Sequence, residues 1–314
     1  MKKIIISAIV ILLLALAAVY FFIPSKLKIS GAVSFQANRD GIARFLNADS
    51  NWGKWWPGTI TKDTGGKNVF QYNDCTFQIS ELLYSAFALK LTKNNDTSAC
   101  LLKIVSLKTD STGIELATEL NAGVSPFSKI TAYIKAKKIK KAFDGFLLAL
   151  QQHTSSIKNI YGLDIKNEKV EMQYLVSTSQ TFNHYPATQD IYLMIATLRT
   201  FINKHNGKEE FFPMLNIETS DSINYQVRVG VPVNQKLPEE GNIAAKMMVK
   251  NGNILTATVT GGPEQIAEAM KQFEKYIQDY QRSIIAIPFQ SLITDRSKES
   301  DSSKWVTKIY YPVV

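Results

Sequence analysis

The sequence predicts an α+β protein made of an N-terminal transmembrane helix, an antiparallel sheet gripping a long helix, and a domain written twice as strand, helix, strand, strand with pseudo-twofold symmetry. Three observations predict it. The run Ile4 to Ile23 carries no polar side chain except Ser7 and the hydroxyl of Tyr20. A series of alternating strands follows and ends in a long helical stretch. Beyond residue 165 the chain repeats at an offset of 75 positions, which lays Pro213, Ile217 and Thr219 onto Pro288, Leu292 and Thr294. The expected boundaries are an anchor over 1–24, a first domain over 25–163 and a second over 164–314. At 314 residues the chain has room for two domains of roughly 150 residues each.

About 20 apolar residues suffice to cross a bilayer as a helix. Lys2 and Lys3 precede the run, so the positive-inside rule keeps the N-terminus cytoplasmic and puts the body in the periplasm or at the cell exterior. A cleaved signal peptide competes, because Ala15-Leu16-Ala17 offers small residues for a cut. The uncleaved anchor is favoured, since Ala18 to Ile23 stays apolar past any such cut and Tyr20, Phe21 and Phe22 suit the membrane interface.

After the anchor, Ile29, Gly31, Val33 and Phe35 alternate with Lys28, Ser30, Ala32 and Ser34, the period of a half-buried strand. Asn38 or Asp40 can cap a short helix bearing Ile42, Phe45 and Leu46. Trp52, Trp55 and Trp56 come next, within Asn51-Trp52-Gly53-Lys54-Trp55-Trp56-Pro57. Cys75–Leu82, Tyr84–Thr92 and Ser98–Leu107 read as a meander that places Cys75 and Cys100 on strands separated by the middle one. Two steps of about 4.8 Å exceed disulfide reach, so two thiols are expected. Glu115 and Glu119 fall on the face opposite Ile114, Leu116 and Leu120, which argues against a catalytic pair. The helical stretch runs from about Phe127 to Tyr161.

In the repeat, Ile191, Ile195, Leu198, Phe201 and Ile202 superpose on Ile266, Met270, Phe273, Tyr276 and Ile277 at i, i+4, i+7, i+10 and i+11, the stripe of a buried helix face. Each copy closes on a Pro-bearing apolar strand, Val229–Val233 and Ile309–Val313. One copy has too little sheet to stand alone, so the two should share a core and leave a groove at their seam.

The net charge of +9 is uneven: 20 Lys and Arg stand against 10 Asp and Glu through Leu163, and 16 against 17 beyond it. Lys135, Lys137, Lys138, Lys140 and Lys141 are its densest part. They read as a solvated helix face or as a contact with anionic lipid head groups. No helix-turn-helix spacing or RNA-binding signature accompanies them, so nucleic acid is not an expected partner. His153, His184 and His205 have no zinc spacing, and neither metal nor cofactor is expected. G-x-S-x-G, Walker A, Rossmann and C-x-x-C patterns do not occur.

Through Ala32-Val33-Ser34-Phe35, Phe45-Leu46, Trp52…Trp55-Trp56-Pro57 and Pro126-Phe127, residues 27–163 resemble the START-like (SRPBCC) superfamily of polyketide cyclases and lipid-transfer domains. That resemblance implies a helix-grip fold with a cavity, which Trp52, Trp55 and Trp56 could floor, although large aromatics beside a short helix more often fill core. Through Pro288-Phe289-Gln290-Ser291-Leu292-Ile293-Thr294-Asp295 and Trp305…Tyr311-Pro312-Val313, residues 165–314 are similar to the GyrI-like small-molecule-binding domain, which also serves as the effector-binding domain of some transcription activators. The resemblance implies a pocket at the seam whose acidic group stands where this chain has Gln290. An amide hydrogen-bonds but cannot act as a general base at ordinary pH. The candidate ligand-binding set there is Gln290, Leu215, Ile217, Leu292, Tyr192 and Trp305. The expected function is a membrane-anchored protein that binds or senses an apolar or amphiphilic small molecule without catalytic residues. A hydrolase or cyclase working in either cavity, and an envelope interaction module, are the alternatives.

Overall fold

The structure, a computed structural model, describes residues 2–83, 86–219 and 223–314. Tyr84, the expected start of one strand, lies outside them. The chain is α+β with two antiparallel sheets, and it divides into two compact units, Met1–Ile160 and Tyr161–Val314.

The first unit opens with α1 (Lys2–Phe22), a helix with mean hydropathy 3.0 and no buried portion. It is long and apolar enough to cross a membrane. β1 (Lys26–Phe35) leads into α2 (Arg39–Asn47) and the single turn α3 (Asp49–Trp52). Asn38 is the cap of α2, its side-chain oxygen accepting from the amides of Asp40 at 2.8 Å and Gly41 at 3.3 Å. The meander follows as β2 (Thr59–Lys62), β3 (Asn68–Tyr72), β4 (Cys75–Leu83), β5 (Ala86–Lys93), β6 (Asp96–Lys108) and β7 (Ser111–Asn121). The sheet order is β1-β7-β6-β5-β4-β3-β2, and it curls into a half-barrel.

Two hairpins of the meander turn on left-handed pairs, Asn73-Asp74 and Asn94-Asn95, with φ between 49° and 62°. Such pairs match the strand twist, and Asn and Asp adopt them most readily among residues with a Cβ. Lys93 is buried and its Nζ donates to both carbonyls of the first turn at 3.2 Å. Cys75 and Cys100 are free, buried thiols on β4 and β6, with β5 between them. Burial pushes the Cys100 thiol up to about 12, which leaves it almost no thiolate at neutral pH.

α4 (Pro126–Thr154) lies across the sheet and buries Ile139, Phe143, Phe146, Leu147 and Leu150. The expected single helix to Tyr161 is interrupted at Ser155, and α5 (Ile157–Tyr161) resumes it. At the break the Thr154 and Ser155 hydroxyls donate to the carbonyls of Leu150 and Gln152.

The second unit comprises β8 (Lys166–Lys169), β9 (Tyr174–Phe182), α6 (Thr188–Lys204), β10 (Met214–Thr219), β11 (Tyr225–Val233), β12 (Ala244–Met247), β13 (Asn253–Thr260), α7 (Pro263–Asp279), β14 (Phe289–Leu292) and β15 (Val306–Pro312). Its sheet order is β12-β9-β11-β10-β14-β15-β13-β8, all antiparallel. β10 and β14 meet at the centre, with Leu215 opposite Gln290. The stripe Ile191, Ile195, Leu198, Phe201 and Ile202 of α6 is buried with Val176, Val227, Val229 and Val231 of the sheet. Phe273 of α7 stacks on Tyr311 of β15 at 5.0 Å between centroids. Tyr161 closes the base of α7 by donating to Asp279 at 2.6 Å.

Candidate functional site

Strand alternation gives each strand of the second sheet two faces. On β9, β11 and β10, Val176, Val227, Val229, Val231 and Leu215 pack with α6. Their neighbours Leu175, Ser177, Arg228, Gly230, Met214 and Asn216 therefore face the other way. There they floor a groove of about 650 Å³, completed by Phe289 of β14. The edge strand β12 forms one wall with Ala244, Lys246 and Met247, and Ala286 and Ile287 contribute another side. A volume of this size suits a small organic ligand.

The centre of the floor is open for a specific reason. Gly230 sits opposite both Met214 and Ser177, and a Cβ added to it would come within 2.8 Å of Leu175 Cδ1. The absent side chain keeps the centre of the groove open. Met214, Met247 and Met248 supply flexible, polarisable walls that adapt to irregular ligands. Met247 is 70% exposed at the mouth. Such a side chain gains from covering by an apolar ligand.

The groove's ionisable lining residues are Arg228 and Lys246. Arg228 is already engaged: Nη1 donates to Glu218 at 2.7 Å and to Asn216 at 2.8 Å, and Nη2 donates to Gln226. Asn216 in turn donates to the Pro288 carbonyl at 3.0 Å, tying the two central strands together at the groove floor. Lys246 forms no ion pair among the described residues. The groove thus offers one uncommitted positive charge beside an apolar floor.

The candidate residues read from the sequence fall largely on the helix side of the same sheet. Leu215 and Leu292 belong to the core beneath α6, with Ile217 and Tyr192 half-buried against it. Leu215 also borders the groove across its strand, while Tyr192 and Leu292 line a separate cavity of about 510 Å³ beside the ion pair Arg199–Glu209. Gln290 is buried, and its amide nitrogen lies 3.9 Å from the Met270 sulfur on α7. Trp305 and Tyr192 both engage Arg296. The guanidinium stands 4.7 Å over the Trp305 ring, and the Arg296 backbone amide donates to the Tyr192 hydroxyl at 2.7 Å. Arg296 Nη2 donates to Thr307 at 2.8 Å, and burial lowers the pKa of this guanidinium.

In the first unit Trp52, Trp55 and Trp56 are all buried in one aromatic cluster. Trp52 meets Phe70 at 5.2 Å, Phe87 at 6.1 Å and Phe146 at 6.2 Å, and its indole nitrogen donates to the Leu46 carbonyl at 2.8 Å. These rings occupy the space between sheet and α4.

Sequence reasoning missed Met214, Gly230, Lys246, Phe289 and Arg296. A signal for part of this set existed. Once Leu215 and Ile217 are assigned inward, period two puts Met214 and Asn216 on the opposite face.

No family model matches this chain, and neither does any curated protein. Among solved structures it is similar to the EcmrR C-terminal domain, at 17% identity over 48% of this chain and 98% of that one, with a TM-score of 0.40. It is also similar to EcmrR in its complex with DNA, at 16% identity over 60% and 70% of the two chains and a TM-score of 0.42. A hydrolase from Listeria innocua is similar at 10% identity over 48% and 92%, with a TM-score of 0.36. Likenesses this remote transfer no activity, and the functional reading rests on the groove itself.

Proposed function

We propose that the second unit is a receptor for a small amphiphile, and that α1 holds it at a membrane. The observation that carries this reading is the groove of about 650 Å³, floored by Met214, Phe289 and Leu175 around the gap at Gly230 and edged by the uncommitted Lys246. An apolar tail would lie along the floor, and a neutral or anionic head would meet Lys246. A hydrolase or cyclase in this groove would need a group that exchanges protons near neutrality. The described lining residues include no carboxylate, imidazole or thiol to take that role.

The repeat supports a pseudo-twofold reading of the unit. The 75-residue offset superposes Leu215 on Gln290, and these two residues are cross-strand partners at the centre of the sheet. A twofold axis through the β10–β14 join requires such a self-equivalent pair. The groove floor spans that join, where duplicated units usually leave concave surface. The first unit, filled by its aromatic cluster, is read as a scaffold that carries the anchor.

The test uses the full chain in zwitterionic lipid nanodiscs, with empty nanodiscs as reference. Equilibrium dialysis compares octanoate with octyltrimethylammonium. Octanoate should be retained above the empty-disc level and more strongly than the cation. Because Lys246 is exposed, its charge is worth no more than about 1 kcal/mol to one anionic head group, so Lys246→Gln should weaken octanoate retention by up to about fivefold. If neither probe is retained above the empty-disc level, the receptor reading fails.

A further inference from the structure

We propose that the outer face of α4 is a membrane-surface contact, with its first two turns in the lipid interface and its next turns on anionic head groups; this rests on the reading of α1 as a membrane anchor. α4 has one face in the core and leaves a second stripe outside. That stripe is Phe127, Ile130 and Ile134, then Lys137, Lys138 and Lys141, spaced i, i+3, i+7, i+10, i+11 and i+14. Along one helix face the chemistry changes from apolar to basic. Phe127 is 70% exposed and Ile134 is 52% exposed. Water is a poor surrounding for large apolar side chains repeated on one stripe.

What covers the stripe follows from where α4 begins. Lys129, in its first turn, donates from Nζ to the Tyr20 carbonyl at 2.7 Å and lies 4.6 Å over the Tyr20 ring, in the last turn of α1. The Ala122 amide, just before α4, donates to the Ser25 carbonyl just after α1, at 2.8 Å. The exit of the apolar helix and the entry of α4 are therefore bonded together. Phe21 and Phe22, at 82% and 86% exposure, continue the apolar surface there. A bilayer that takes in α1 up to these aromatics meets Phe127 at the same level.

The dimensions agree. From Phe127 to Ile134 the helix rises about 10 Å at 1.5 Å per residue, so the apolar part of the stripe is two turns long. The lysines come in the next turns, at the depth of phosphates, where their stems can stay in apolar surroundings while the ammonium groups reach the head groups. Lys138 and Lys141 have no ion pair among the described residues, whereas Lys140 is tied to Asp144 and Lys135 to Asp96. The basic end of the stripe is thus uncompensated. It complements an anionic surface.

Depth measurement by spin labels tests this on the full chain in nanodiscs made with and without phosphatidylglycerol. Cys75 and Cys100 are buried, so a single introduced cysteine takes the label under native conditions. Phe127→Cys and Ile134→Cys should be reached by oxygen in preference to a nickel chelate, and more strongly when phosphatidylglycerol is present. Lys62→Cys, on the exposed strand β2, should show the reverse. Replacing Lys137, Lys138 and Lys141 by glutamine should abolish the phosphatidylglycerol dependence while leaving Ile11→Cys deep in lipid. If positions 127 and 134 are aqueous while Ile11→Cys is lipid-exposed, the anchor reading stands and this contact is overturned. An aqueous Ile11→Cys overturns both. Labels at 127 and 134 that neither reagent reaches would mean the face is covered by a second copy of the chain, which also overturns it.

Discussion

Replacing Trp52 with alanine should destabilise the first unit by about 3–5 kcal/mol. The ring is fully buried and touches Trp55, Trp56, Phe70, Phe87 and Phe146. Its removal leaves a cavity that five neighbouring rings cannot all collapse into, and it orphans the Leu46 carbonyl. Trp52→Phe keeps most of the contact area but loses the indole donor, so it should cost about 1–3 kcal/mol. Urea unfolding followed by far-ultraviolet circular dichroism measures both. A Trp52→Ala midpoint matching the wild type would mean that the tryptophans border an open ligand cavity and do not hold the unit together.

The second large effect concerns binding. Ser177→Trp should reduce octanoate retention by at least about tenfold, equivalent to about 1.4 kcal/mol, while leaving the unfolding midpoint nearly unchanged. Ser177 stands on the groove floor with Gly230 and Ala244 as its cross-strand partners. Both are too small to be displaced by an indole, so the new ring would lie in the groove and exclude a ligand tail without forcing the sheet apart. Loss of binding together with loss of stability would point to a disrupted sheet; loss of binding alone locates the ligand.

Much of the architecture was legible because periodicity reports burial. The alternation from Ile29 to Phe35 became β1, the stripe from Ile191 to Ile202 became the buried face of α6, and of the two cap candidates Asn38 and Asp40 it is Asn38 that caps α2. The break of the long helix at Ser155 was not legible from apolar spacing, since the stripe runs through Leu150 up to the break itself. The groove was harder still. Period two assigns Met214 and Asn216 to one face, but nothing local says which distant segment covers that face. β12 is four residues long, with burial falling from half-buried Ala244 and Ala245 to exposed Lys246 and Met247, and Ile287 lies in a loop. Arg296 was missed for the related reason that an arginine in a loop reads as solvated until Trp305 and Thr307 are seen to enclose it.

Photolabelling tests the receptor reading most directly. The full chain in zwitterionic nanodiscs is irradiated with an octanoic acid carrying a diazirine, and the modified peptides are mapped with and without excess octanoate. Adducts that octanoate competes away should fall within residues 175–179, 214–216, 228–230, 242–248 and 286–289 or on Pro312, the positions that bound the groove, and Ser177→Trp should remove them. Competable adducts confined to the first unit, to the cavity beside Tyr192 and Leu292, or to α1 would contradict the assignment of the groove as the binding site.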